Sequence, residues 1–133
     1  MKICVTSMGD NLDADVDPRF GRCQYFLIID TDSMNVKSIS NESAMASGGA
    51  GIQAAQTVAK AGVTAIITGN VGPNAFQTLS AAGVKVFTGT FGSVKEAVEQ
   101  YKKGELKETE AASVGSHFGM GGIGRGFGRG RGI

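Results

Sequence analysis

The chain has 133 residues, with 13 Lys and Arg against 12 Asp and Glu and an apolar share of 41%. That length predicts one domain, the apolar share excludes a disordered chain, and a formal charge of +1 gives no electrostatic case for coating a nucleic acid. No run approaches the ~18 apolar residues of a membrane span, and the opening MKICVTSMGD turns polar too soon for a secretory core, so a cytoplasmic protein is expected.

Residues 2–7, KICVTS, are apolar on both parities and predict a central strand covered on both faces. A polar stretch from Met8 to Cys23 follows, with Asp10, Asp13, Asp15 and Asp17. A connection that long without periodicity is usually functional or disordered. QYFLIID (24–30) predicts a second buried strand, and TDSMN turns into VKSIS (36–40), a polar edge strand antiparallel to it. The pattern then becomes helical. GGAGIQAAQTVAKAG (48–62) sets Ile52, Ala55, Ala59 and Gly62 at helical spacing. VTAIIT (63–68) is a strand, and Pro73 opens a helix with Phe76 and Leu79 inward, ending at Gly83. VKVFT (84–88) is the last strand. SVKEAVEQYKKG (93–104) is a helix with Ser93 and Glu96 at capping-box spacing and Val94, Ala97, Val98 and Tyr101 as its apolar stripe.

The order β-β-β-α-β-α-β-α requires right-handed crossovers in its second half. It predicts a three-layer α/β/α fold with a mixed five-stranded sheet. Placing the first strand beside the fourth gives the order 3-2-1-4-5 with strand two antiparallel, the ribonuclease H-like layout. Nine of the 21 glycines, with Arg125, Arg129 and Arg131 and no acid, lie beyond Ser113. Residues 1–108 are therefore expected to form the domain and 109–133 a flexible Gly/Arg-rich tail. A tail of this kind can contact single-stranded nucleic acid, but three arginines supply little charge, and a solubilising role is preferred.

In such sheets ligands bind beyond the carboxyl ends of the parallel strands, where strand order reverses. The segments expected there are Ser7–Gly9, the acidic stretch, Gly69–Gly72, Gly89–Gly92, and the turn Gly48-Gly49-Ala50-Gly51, whose free N–H groups suit an anion. DPRFGRCQYF sets Arg19 and Arg22 around Phe20 and Gly21, with Cys23 next. Two guanidiniums and a soft thiol can hold a sulfur-rich anion. Equally, the arginines can pair with the aspartates of their own loop while Cys23 is a small core residue. A metal nuclease is excluded, because the first strand offers Cys4 and Thr6 where an acid is needed. No Ser-His-Asp or Cys-His pairing is supported by the single histidine, His117, which is read as a tail residue without a task or as a mobile metal ligand.

These segments together, MKICVTS, DPRFGRCQYFLIID and GGAGIQAAQTVAKAGVTAIITGNVGPNAFQTLSAAGVKVFTG, resemble the dinitrogenase iron–molybdenum cofactor biosynthesis family of NifX-like, NifY-like and NifB carboxyl-terminal domains. The resemblance covers residues 1 to about 105 and implies a ribonuclease H-like fold, and binding without catalysis. It implies an iron–sulfur, iron–molybdenum or molybdenum–copper sulfide cluster as ligand, and cluster-assembly proteins as partners. Carried onto this chain, the implied binding residues are Arg19, Phe20, Gly21, Arg22, Cys23, Gly48, Gly49, Gly51, Asn70 and Gly72, with Cys23 and His117 as metal ligands. The Cys- or His-rich carboxyl terminus of some members is missing here. A cluster carrier and a regulatory scaffold that binds an assembly protein are the two functions this leaves.

Overall fold

A computed structural model describes residues 1–42, 44 and 49–110. Five strands, β1 (Lys2–Ser7), β2 (Tyr25–Asp30), β3 (Val36–Ser40), β4 (Ala65–Ile67) and β5 (Lys85–Phe87), form one sheet in the order β3-β2-β1-β4-β5. β1 runs antiparallel to β2 and parallel to β4, β2 antiparallel to β3, and β4 parallel to β5. The helices are α1 (Ala50–Lys60), α2 (Pro73–Ala81) and α3 (Val94–Lys102). Order and mixed direction are those the hydropathy pattern predicts.

The alternation of strand side chains divides the core in two. Cys4, Phe26, Ile28, Ile66 and Val86 point to one face, where Ala54, Ala55 and Val58 of α1 and Ala75 and Leu79 of α2 cover them. Ile3, Val5, Leu27, Ile29 and Ile67 point to the other face, under Val94, Ala97 and Val98 of α3. Burying each such aliphatic side chain is worth about 1.5–3 kcal/mol. β1 feeds both layers, which is why it reads as apolar on both parities.

Two expectations shift. On α1 the buried stripe is Ala50, Ala54, Ala55 and Val58, whereas Ile52 is exposed. Small residues face inward because the helix runs close to its neighbours: a Cβ on Gly51 would lie 3.3 Å from Ala75 Cβ. On α2 Phe76 is only partly buried, and Ala75 shares the inner face with Leu79. At the β5 edge, Glu108 and Thr109 add an antiparallel bridge. Thr109 N–H donates to Val86 O at 2.7 Å, and Thr88 N–H donates to Thr109 Oγ1 at 3.1 Å. This pairing crosses the domain boundary placed after residue 108, and residues 111–133, most of the predicted tail, lie outside the described residues.

Candidate functional site

The polar stretch between β1 and β2 is tied down along its length. Met8 N–H donates to Asp15 O, Asp17 N–H to Thr6 O and Val16 N–H to Gly92 O, each at 2.9 Å. Leu12 and Val16 pack into the α3-side core. The stretch therefore crosses the carboxyl ends of the parallel strands and delivers residues 17–23 to the gap between β1 and β4.

There it closes onto two other segments. Arg19 and Asn70 form a parallel bridge, and Phe20 N–H donates to Asn70 O at 3.3 Å. Gly69 passes so close to Pro18 that a Cβ would lie 2.6 Å from Pro18 Cα. Gly21 meets the first turn of α1, where its Cβ would stand 2.9 Å from Gly51 Cα. Asn41 Nδ2 donates to Gly21 O at 3.1 Å and Cys23 O at 2.9 Å. Residues 17–23, 49–51 and 69–72 thus come together, as the strand-order argument requires. Gly48 and His117 lie outside the described residues.

The side chains divide by role. Phe20 is buried against Phe26, with ring centroids 6.0 Å apart, and anchors the loop in the core. Arg19 is exposed, with Nε 3.5 Å from Oδ1 of the buried Asp17. Arg22 is exposed and donates from Nη1 to Ala44 O at 2.8 Å. Gly21 and Gly51 are where backbones approach each other, so their lack of a Cβ serves packing first. Cys23 is fully buried. Burial, and then the charge of Asp17, push its thiol well up from the ordinary value, against weaker opposing contributions from Asn41 and Arg19. Burial does the same to Cys4. Burial thus favours the protonated thiol at Cys23, and a metal bound there would have to displace that proton, because a thiolate is the ligand form. Among the described residues no group of three or more His, Cys, Asp or Glu could hold a metal ion.

What remains at this edge suits an anion. α1 and α2 both begin here, at Gly49 (φ 74°) and Gly72, and neither carries a side-chain cap or an acid in its first turn. α3, in contrast, has Ser93 and Glu96 as a complete capping box. The first turns of α1 and α2 touch at Gly51 and Ala75. Two adjacent helix starts without a side-chain cap concentrate main-chain N–H groups and partial positive charge, and the loop that carries Arg19 and Arg22 packs on them through Gly21 against Gly51 and Arg19 against Asn70. Asp17 and Asn41 are the residues that the sequence reading missed. The Asp-Pro pair at 17–18 was the available sign for the first, since a side chain in that position commonly caps its own turn. A separate cavity of about 250 Å³, lined by Lys2, Lys37 and Lys60 over Ile28 and Ile39, includes none of these residues and lies toward the opposite end of β1.

The sheet order, the two helical layers and a polar site at the strand-order reversal define a ribonuclease H-like α/β protein. The model of the dinitrogenase iron–molybdenum cofactor family matches residues 1–104, and the chain belongs to that family. It is similar to the apo form of the orange protein from Desulfovibrio gigas, at 42% identity and a TM-score of 0.83 over 85% of this chain and 96% of that one. It is also similar to a NifB-like protein from Thermotoga, at 42% identity and a TM-score of 0.71 over 80% and 91% of the two chains. An uncharacterized protein of Methanocaldococcus jannaschii is 31% identical over 98 residues, 71% of this chain and 83% of that protein.

Proposed function

We propose that this protein is a small, non-enzymatic carrier of an anionic metal–sulfur cluster or its precursor, held where residues 17–23, 49–51 and 69–72 meet. The observation that carries the reading is that the loop bearing Arg19 and Arg22 packs against the start of α1 at Gly51 and against Asn70 ahead of α2, two helices without side-chain caps. Family membership supports iron–molybdenum cofactor chemistry as its setting. A 42% identical relative that is called orange and has an apo form points to a coloured, removable group.

The chemistry follows from the donors. Guanidinium forks and main-chain N–H groups bind the sulfides and net charge of a cluster without metal–ligand bonds. Such binding is reversible, because no strong coordinate bond must break. On this reading the protein transfers its cargo and does not turn it over. Whether the cargo is an iron–sulfur, iron–molybdenum or molybdenum–copper sulfide cluster is decided by its preparation. Protein isolated without oxygen should carry visible absorption and stoichiometric molybdenum or iron. Colourless, metal-free protein that cannot be loaded would favour the scaffold reading, in which the same edge docks a cluster-assembly protein.

A further inference from the structure

The loop that presents the arginines also hides a carboxylate. Asp17 is fully buried where β1 and β4 separate. Its main chain is clamped: the N–H donates to Thr6 O at 2.9 Å, and the carbonyl accepts from Thr6 Oγ1 at 2.7 Å and Thr68 Oγ1 at 3.4 Å. Oδ1 accepts the Arg19 backbone N–H at 3.0 Å and lies 3.5 Å from Arg19 Nε. Oδ2 is buried with no hydrogen-bond partner among the described residues.

A buried carboxylate oxygen left without a donor is costly and calls for an explanation. A flexible donor beside this carboxylate is Arg19, half of whose side chain is exposed. A guanidinium satisfies a carboxylate best through two parallel bonds, one to each oxygen. The single 3.5 Å contact falls short of that, while a rotation of the Arg19 stem would complete it. Asp17 cannot move to meet its partner, because its backbone is held on both sides; Arg19 can. Arg19 itself belongs to the site, since its backbone bridges to Asn70 of the 69–72 segment.

We infer that Asp17 is a latch on Arg19: the buried carboxylate competes with anionic cargo for one guanidinium and so weakens cargo binding and favours release. The inference rests on the carrier reading and concerns the regulation of that same site. The two arginines are then unequal. Arg19 is the arginine whose guanidinium lies 3.5 Å from the Asp17 carboxylate, whereas Arg22 donates from Nη1 to Ala44 O at 2.8 Å. Arg19 must leave a charge behind, and that charge repels the cargo.

Asp17→Asn tests the effect, because the amide keeps an oxygen to accept the Arg19 backbone N–H and removes the charge, with an NH2 group in place of Oδ2. Titration with tetrathiomolybdate under anaerobic conditions should show the variant binding about two- to fivefold more tightly than the parent, the range expected for a half-exposed ion pair. The gain should vanish when Arg19→Ala is present in both proteins and persist when Arg22→Ala is. In the cargo-free protein the Arg19 Nε–H resonance should exchange slowly and lose that protection in Asp17→Asn. Weaker binding by Asp17→Asn, a gain that survives Arg19→Ala, or unchanged Nε–H exchange would each overturn the latch. A parent protein that binds no thiomolybdate contradicts the carrier reading instead. The Nε–H comparison, which needs no cargo, then decides by itself whether Asp17 holds Arg19.

Discussion

At the scale of single residues, the site is built by close approach more than by reactive groups. Gly69 and Pro18 show this most sharply: a Cβ at 69 would sit 2.6 Å from Pro18 Cα and 2.8 Å from its Cβ. Gly69→Ala must push the arginine loop off the β4–α2 connection, and should cost about 1–3 kcal/mol in a denaturant titration. Cys23 shows the limit of reading residues from a string. Its neighbours Arg19 and Arg22 mark it as a ligand, but its fate depends on burial in the cluster that also holds Phe20 and Phe26, an outcome of tertiary packing that no spacing rule predicts. With burial holding both thiols protonated, Cys4 and Cys23 should react with a thiol reagent at pH 8 orders of magnitude more slowly in the folded protein than in denaturant. Rapid labelling of Cys23 in the native state would return it to the surface. Asp17 was illegible for a related reason. Among four loop aspartates only one is buried, and what singles it out is Thr6 on β1 and Thr68 just beyond β4, far apart in sequence.

At the scale of elements, α3 was the most legible because its signals are local. The capping box, the apolar stripe and the terminal lysines all lie within twelve residues, and the structure shows Ser93 Oγ accepting from Glu96 N–H at 3.1 Å and Glu96 Oε1 accepting from Ser93 N–H at 3.0 Å. Val98→Asp should unfold the domain, since an unpaired carboxylate in the α3-side core costs several kcal/mol. Lys102→Ala, on the exposed face, should stay within about 0.5 kcal/mol of the parent; equal melting temperatures for the two would reverse the face assignment. Glu96 also makes a prediction about pH. The Ser93 N–H and hydroxyl hold its carboxyl below the ordinary value of 4.5, so the folded state binds that proton less readily than the unfolded chain. Its stabilisation is complete above that value and is lost as pH falls through the folded-state pKa. Glu96→Gln keeps an acceptor for Ser93, so its melting temperature should fall less steeply than that of the parent below pH 4.5. Asp30, held down by the N–H groups of Asp32 and Ser33, leaves a residual slope in the same window. α1 was less legible than α3. Its alanine-rich sequence offers several stripes, and the choice among them was made by Gly21 and Ala75 on other elements.

At the scale of the whole molecule, the sheet order was readable because right-handed crossovers and a leading hairpin leave few arrangements, and placing the first strand beside the fourth, in line with the family resemblance, selects 3-2-1-4-5. The convergence of three segments at the strand-order reversal followed from that order alone. What lies between them did not, since it depends on side chains meeting across the loops. The described core extends from Ile3 to Val98, with Thr109 closing the β5 edge. A chain ending after Glu110 should therefore melt within a few degrees of the full-length protein, and a large drop would place part of the fold beyond that point. The central claim is that two arginines and two uncapped helix starts hold an anionic metal–sulfur cluster. Its most direct test is an anaerobic titration of tetrathiomolybdate, followed by absorption, into the parent and the Arg19→Ala/Arg22→Ala double variant. The account predicts saturable binding by the parent at one stoichiometric site, and binding at least tenfold weaker in a double variant of unchanged melting temperature. Equal binding by the two proteins, or none by either, would contradict it.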